Sequence, residues 1–285
     1  MDNDAPSTRN LNIRVQTKKW LGQHFLRDMS VPPRIAEAAG LQPDDCVIEV
    51  GPGLGVLTEE LARRLGPARG RLVAVELDSE LLPGLRERFS NQPHVSFVHG
   101  DVLDIPPEEL SAGRPYKVVA NLPYYITSAI LRHFLDAQHK PQSLTVMVQL
   151  EVAQRMAAKP PDMGILSVAV QFYGETHIAF RVPPGAFRPP PKIDSAVVHI
   201  RVYGPADRPV QPTSEASFFR VVQAGFSQKR KQLVNTLASG LGLPKDTARH
   251  ILEVAGVSPD RRAETLSLAE WASLEHALTR ETGDA

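Results

Sequence analysis

Val47-Ile48-Glu49-Val50-Gly51-Pro52-Gly53-Leu54-Gly55 is an apolar strand running straight into a glycine-rich turn, and this stretch decides the fold. Leu54, Leu57, Leu61 and Leu65 follow at helical spacing, and Gly66-Pro67 stops the helix. The same alternation continues outward. Ser30-Val31-Pro32-Pro33 starts a helix that Gly40 ends. Downstream, strands are predicted over 72–77, 95–98, 117–120 and 144–150, with helices over 79–89 and 128–135 between them. Strand alternating with helix implies an α/β fold, a mostly parallel, Rossmann-like sheet covered on both faces.

After residue 150 the pattern changes. Helices are predicted over 151–158 and 165–172, then strands over 178–182 and 196–203 separated by a proline-rich loop, which pair as an antiparallel edge. Residues 204–212 are proline-rich and polar and read as a linker. Beyond it the apolar spacing is helical over 215–226, 229–239, 245–255 and 268–278, a small all-α domain. The expected organisation is a flexible arm at 1–17, a catalytic domain at 18–206 and a helical domain at 213–280.

The 285 residues suffice for one large α/β domain and a smaller appendage. No stretch reaches the ~20 apolar residues of a membrane span, and residues 1–17 lack the apolar core of a secretory leader. Cys46 is the single cysteine, which excludes an internal disulfide and a cysteine-rich zinc site and fits a reducing cytosol. The formal net charge is zero, but its distribution is uneven. Residues 5–27 carry Arg9, Arg14, Lys18, Lys19 and Arg27 without an acid. Residues 216–245 carry Arg220, Lys229, Arg230, Lys231 and Lys245, again without an acid. Two such stretches in a neutral chain suit a phosphate-binding face, although either also reads as ordinary solvated surface.

The glycine turn lets backbone approach a ligand closely. Its spacing, Gly51-x-Gly53-x-Gly55, puts Val56 where a dinucleotide fingerprint needs its last glycine. That favours a nucleoside carrying an amino-acid tail, as in S-adenosylmethionine. Glu76 ends the second strand, where a carboxylate can accept from both ribose hydroxyls, and Asp101 ends the third, where it can accept from an adenine amine. Asn121-Leu122-Pro123-Tyr124 follows the fourth strand. In an open α/β sheet these strand ends share one crevice.

The series Gly51 to Gly55, Glu76, Asp101 and Asn121 to Tyr124 resembles the motifs of adenine-N6 methyltransferases. Three more segments narrow the resemblance: Leu21-Gly22-Gln23-His24-Phe25-Leu26, the run from Phe187-Arg188-Pro189-Pro190-Pro191-Lys192 to Val197, and Gly225-Phe226-Ser227-Gln228-Lys229-Arg230-Lys231. From Lys18 to about Trp271 the chain resembles the small-subunit ribosomal RNA adenine dimethyltransferase (KsgA/RsmA) family. The resemblance implies S-adenosylmethionine as methyl donor and two adjacent adenines near the 3′ end of small-subunit ribosomal RNA, within an immature subunit, as acceptor. The expected protein is a cytoplasmic monomer acting in ribosome biogenesis, with no metal and no membrane. Cofactor contacts are implied at His24, Leu26, Gly51, Gly53, Glu76, Asp101 and Asn121; the family often has Asn where this chain has His24. RNA contacts are expected at Lys229, Arg230 and Lys231.

An exocyclic adenine amine is a poor nucleophile because its lone pair is delocalised into the ring. The Asn121 side-chain oxygen and the Leu122 carbonyl can accept its two hydrogens and localise that pair. Pro123 stiffens the loop and has no N–H to compete. Tyr124 can stack on a base that has left its own stack, with Phe187 as the opposite wall. Two other functions remain open on sequence grounds. One is a large-subunit methyltransferase of the Erm resistance type, against which Leu122 and the 187–192 segment count. The other is a non-catalytic ribosome-assembly factor on the same fold.

Overall fold

The computed structural model describes residues 24–204 and 206–283. The N-terminal arm at 1–17, Lys18, Lys19 and the first three residues of the Leu21 to Leu26 motif lie outside the described residues.

Seven strands form one sheet, and two further strands of two residues each pair antiparallel as a second, small sheet. In chain order the elements are β1 (Phe25–Leu26), α1 (Val31–Ala38), β2 (Cys46–Val50), α2 (Val56–Arg64), β3 (Arg71–Glu76), α3 (Leu82–Arg88), β4 (Val95–His99), α4 (Pro107–Ser111), β5 (Tyr116–Asn121), α5 (Thr127–Leu135) and β6 (Ser143–Gln149). There follow α6 (Leu150–Ala157), α7 (Ile165–Tyr173), β7 (Gly174–Val182), β8 (Phe187–Arg188) and β9 (Ser195–Val202). The C-terminal helices are α8 (Glu215–Phe226), α9 (Leu233–Leu241), α10 (Lys245–Val254) and α11 (Leu268–Thr282). The large sheet has the order β4-β3-β2-β5-β6-β9-β7. Strands β4, β3, β2, β5 and β6 are mutually parallel, and β9 alone runs against both its neighbours. The reversed strand therefore sits one place in from the edge, with β7 outside it.

Because side chains alternate along a strand, the sheet divides the core in two. Val47, Leu72, Val119, Met147 and Val197 face α1, α2 and α3. Ile48, Val73, Val118, Val146 and Val198 face α4, α5 and α7, and this second cluster runs on without a break into the C-terminal helices. The junction is polar as well as apolar. Phe172 stacks on Phe218 at 4.7 Å, the Tyr173 hydroxyl donates to Glu215 at 2.9 Å, and Arg208 reaches the same carboxylate at 2.5 Å. Arg208 also lies over the Phe172 ring at 5.1 Å, so this residue ties the linker to both regions it joins. Among the described residues no helix is long and apolar enough to cross a membrane.

Most predicted elements lie within a residue or two of the sequence expectation; α11 runs four residues past its expected end, α4, β1 and β8 were not predicted, and three elements start elsewhere for clear reasons. Helix α3 starts at Leu82 rather than 79, because Pro83 fits only a first turn and residues 78–81 close a separate turn, Leu81 N–H to Asp78 C=O at 3.1 Å. The edge strand β7 begins at Gly174, four residues early, its register continuing opposite β9. Helix α9 begins at Leu233, not 229. The Leu233 and Val234 amides donate to the Arg261 and Pro259 carbonyls, so the helix start is capped by a distant loop. Lys229, Arg230 and Lys231 consequently stand in an exposed turn between α8 and α9 and not on a helix.

Candidate functional site

The glycine turn leaves β2 with Gly51, Gly53 and Gly55 at φ of +67°, +58° and +77°. The left-handed region is costly for any residue with a Cβ. At Gly53 there is a second constraint, since a Cβ there would stand 3.2 Å from the Phe25 ring. The loop is pinned from outside by Arg88 of α3, whose guanidinium donates to the Leu54 carbonyl at 2.7 Å and pairs with Glu59.

Glu76 ends β3 beside this turn. Its Oε2 accepts from the Gly53 amide at 3.1 Å and its Oε1 from the Asp78 amide at 2.8 Å. Burial pushes the carboxyl above its usual range, and these backbone donors pull against that shift. Asp101 uses Oδ1 to cap the following turn through the Leu103 amide at 3.0 Å, which leaves Oδ2 to face a ligand. Capping and ligand binding are therefore compatible roles for one side chain.

Glu49 was missed from the sequence. It lies in β2, in a run that reads as apolar, yet it is only 1 % exposed and its Oε2 has no hydrogen-bond partner. Burial, reinforced by the nearby Glu76 charge and opposed by Thr58, raises its carboxyl to about 8. It lines the same cleft as Gly51, Gly53, Glu76, Asp101 and Asn121. A buried acid with an idle oxygen beside a left-handed glycine turn fits a ligand that carries positive charge and hydroxyls, as S-adenosylmethionine does. The one signal available was a charged residue inside a five-residue buried strand.

Asn121 is the last residue of β5. Its amide Nδ2 donates to the His24 carbonyl at 3.4 Å, which leaves Oδ1 as a free acceptor. The Leu122 side chain is buried and its amide donates to Met147 C=O at 3.1 Å, so only its carbonyl is available for chemistry. Pro123 heads a turn closed by the Ile126 amide at 3.3 Å. The Tyr124 hydroxyl hydrogen-bonds Ser195 Oγ at 2.8 Å, and burial raises its pKa, so it stays protonated.

The N-terminal motif reaches the site through a short pairing, Phe25 with Arg188 and Leu26 with Phe187. His24 Nδ1 contacts the Pro189 carbonyl at 2.9 Å, and its ring lies beside Tyr124 at 5.8 Å and 27°. Leu26 is buried and lines the cleft. The expected aromatic wall at Phe187 is corrected here. Phe187 is 3 % exposed and packs in the α1–α3 core with Leu26, Val182 and Ala186, because strand alternation turns Arg188 outward and Phe187 in. The ring facing Tyr124 is that of His24. Lys229, Arg230 and Lys231 are exposed and do not line the cleft.

The family model described as ribosomal RNA adenine dimethylase matches residues 14–279. The chain is 50 % identical over 261 residues to a protein of Dehalococcoides mccartyi named ribosomal RNA small subunit methyltransferase A, covering 91 % of this chain and 88 % of that one. It is 44 % identical over 271 residues to a protein of the same name from Geobacter metallireducens, covering 93 % and 96 %. Among solved structures, the 23S rRNA methyltransferase ErmE superposes with TM-score 0.71 at 30 % identity, over 89 % of this chain and 99 % of that one. A dimethyladenosine transferase from Plasmodium falciparum gives TM-score 0.74 at 20 % identity over 91 % and 98 %, a likeness of fold.

Proposed function

The chain belongs to the ribosomal RNA adenine dimethylase family, and from that premise we propose that it transfers methyl groups from S-adenosylmethionine to N6 of adenines in small-subunit ribosomal RNA. The finer reading is two adjacent adenines near the 3′ end, modified in an immature subunit, giving N6,N6-dimethyladenine. One observation carries the chemistry: the amine-accepting loop at Asn121 opens into the same cleft as the glycine turn, Glu76 and Asp101.

S-adenosylmethionine, when bound, supplies an electrophilic methyl group. Gly51 and Gly53 would give its tail room, Glu76 would accept from its ribose, Asp101 from its adenine, and Glu49 would offer a carboxylate to its positive charge. His24 and Leu26 close the cleft from the N-terminal side. Asn121 Oδ1 and the Leu122 carbonyl accept the two amine hydrogens of the target base, which draws electron density onto nitrogen. Tyr124, fixed by Ser195, supports the base by its ring face. No residue need act as a strong base, since the proton on the alkylated nitrogen is acidic enough to leave to water. Holding donor and amine together in a reactive orientation would supply several kcal/mol of the barrier, up to about 7–11. We assign Lys229, Arg230 and Lys231 to the RNA backbone, with 213–280 as the recognition domain and 18–206 as the catalytic one.

The 44–50 % identity to proteins named for the small subunit exceeds the 30 % to a large-subunit enzyme, which favours the small-subunit target. The test is incubation with immature small subunits and radiolabelled cofactor, followed by mapping of the labelled base. Asn121→Ala is expected to abolish labelling while RNA binding largely persists. Label confined to large-subunit RNA, or normal labelling by Asn121→Ala, would overturn the reading.

A further inference from the structure

The turn that follows Pro123 presents two consecutive tyrosines in different ways. Tyr124 is half-buried, with its hydroxyl on Ser195 and its ring beside His24. Tyr125 is 59 % exposed, yet it lines the same cleft. Its position is fixed from both sides. The Ile126 amide closes the turn onto Pro123, and the Thr127 hydroxyl bonds the Pro123 and Tyr124 carbonyls at 3.3 and 3.4 Å as α5 begins. Ile126 itself packs against the core. Among the described residues six large apolar side chains are exposed; of these only Leu77 and Tyr125 line the cleft, and only Tyr125 is aromatic. Among the described residues its ring stacks on no other ring.

Building on the reaction assigned above, we propose that Tyr125 is the stacking platform for the nucleotide adjacent to the adenine being methylated. A base that enters the cleft leaves its stack, and its neighbour thereby loses a stacking partner. Consecutive Cα atoms are about 3.8 Å apart, so Tyr125 sits one chain step from the ring that supports the target. An aromatic face accepts any base, because every base has a π face. Tyr125 therefore adds affinity for the strand without adding selectivity for adenine, which stays with Asn121 and Leu122. For a substrate with two adjacent target adenines, the base resting on Tyr125 is the one treated next or the one just released.

The test combines protein and RNA changes. Short RNA carrying the target adenine is compared with the same RNA bearing an abasic site at either neighbouring position. Affinity is read by fluorescence anisotropy with cofactor present, and KM by methyl incorporation. For intact RNA, Tyr125→Ala is expected to weaken binding and raise KM by roughly 5- to 150-fold, the range of one base–aromatic stack. Tyr125→Phe and Tyr125→Trp keep wild-type affinity, which separates stacking from folding. One of the abasic sites costs the wild type a similar factor, and Tyr125→Ala loses nothing further on that RNA. Independent, multiplying losses would overturn the proposal, as would unchanged RNA affinity in Tyr125→Ala. A weakened cofactor affinity in that variant would also overturn it, by making the ring a cover for the cofactor. The anisotropy arm needs no turnover, so failure of the assigned reaction registers separately as RNA binding without methylation.

Discussion

Replacing Glu49 by Gln separates the cost of burying this acid from its use. The folded-state carboxyl sits at about 8 against an ordinary value of 4.5, with burial as the main cause. Below pH ~4.5 both folded and unfolded chains hold the proton, and Glu49 does not affect stability. Between ~4.5 and ~8 the unfolded chain releases it while the folded chain retains it, so stability falls as pH rises. Above ~8 both are ionised and the loss is complete. A difference of about 3.5 pKa units at roughly 1.4 kcal/mol each is on the order of 5 kcal/mol. Urea unfolding of the free protein at pH 5, 6, 7 and 8 measures this. The stability of Glu49→Gln relative to wild type is expected to climb steadily across that range, by a few kcal/mol in total. Cofactor should reverse the sign. In the wild type, binding of a positively charged ligand draws the proton off Glu49, so affinity rises with pH and calorimetry in buffers of different ionisation enthalpy reports proton release. In Glu49→Gln both effects vanish. A stability difference that stays flat from pH 5 to 8 would refute the reasoning, because it would mean Glu49 is ionised, and therefore solvated or paired, in the folded protein.

Four further outcomes follow from the same geometry. Gly53→Ala forces a Cβ into the left-handed region and within 3.2 Å of the Phe25 ring, and should lower stability by about 1–2 kcal/mol and cofactor affinity with it, read by thermal shift with and without ligand. Tyr124→Phe removes the bond to Ser195 but keeps the ring, for a loss of about 1 kcal/mol in stability and less than about tenfold in methylation rate, whereas Tyr124→Ala should lose far more rate. Neutralising Lys229, Arg230 and Lys231 together should weaken RNA binding and reduce the slope of log affinity against log salt by about 2–3, leaving cofactor affinity intact. Glu215→Gln, which breaks the charge-assisted contact of Arg208 between α8 and the linker, should lower the urea midpoint by an amount equal to about 1–3 kcal/mol.

How much of this could be read from residues alone depended on how local each cause was. Gly51 to Gly55, Glu76, Asp101 and Asn121 were legible because each ends a parallel strand, and a parallel sheet gathers such ends on one side whatever the order of its strands. Their convergence needed no knowledge of side-chain packing. Phe187 and the 229–231 turn were misread because their causes are distant. Phe187 is turned inward by pairing with Leu26, 161 positions earlier, and α9 starts where the 259–261 carbonyls cap it. Glu49 was invisible for a third reason. Its neighbours Val47, Ile48 and Val50 dictate a buried strand, and a pattern reading assigns such an acid to its strand without asking what it would cost there. Yet that cost is what makes Glu49 informative. Fold-building residues agree with their surroundings, while a buried acid held neutral near pH 7 with its own Oε2 unpartnered disagrees with them until a cation arrives. The positions that contradict the local pattern therefore point more directly to the ligand than those that satisfy it, and in this chain Glu49 inside β2 and Tyr125 outside the core are two of them.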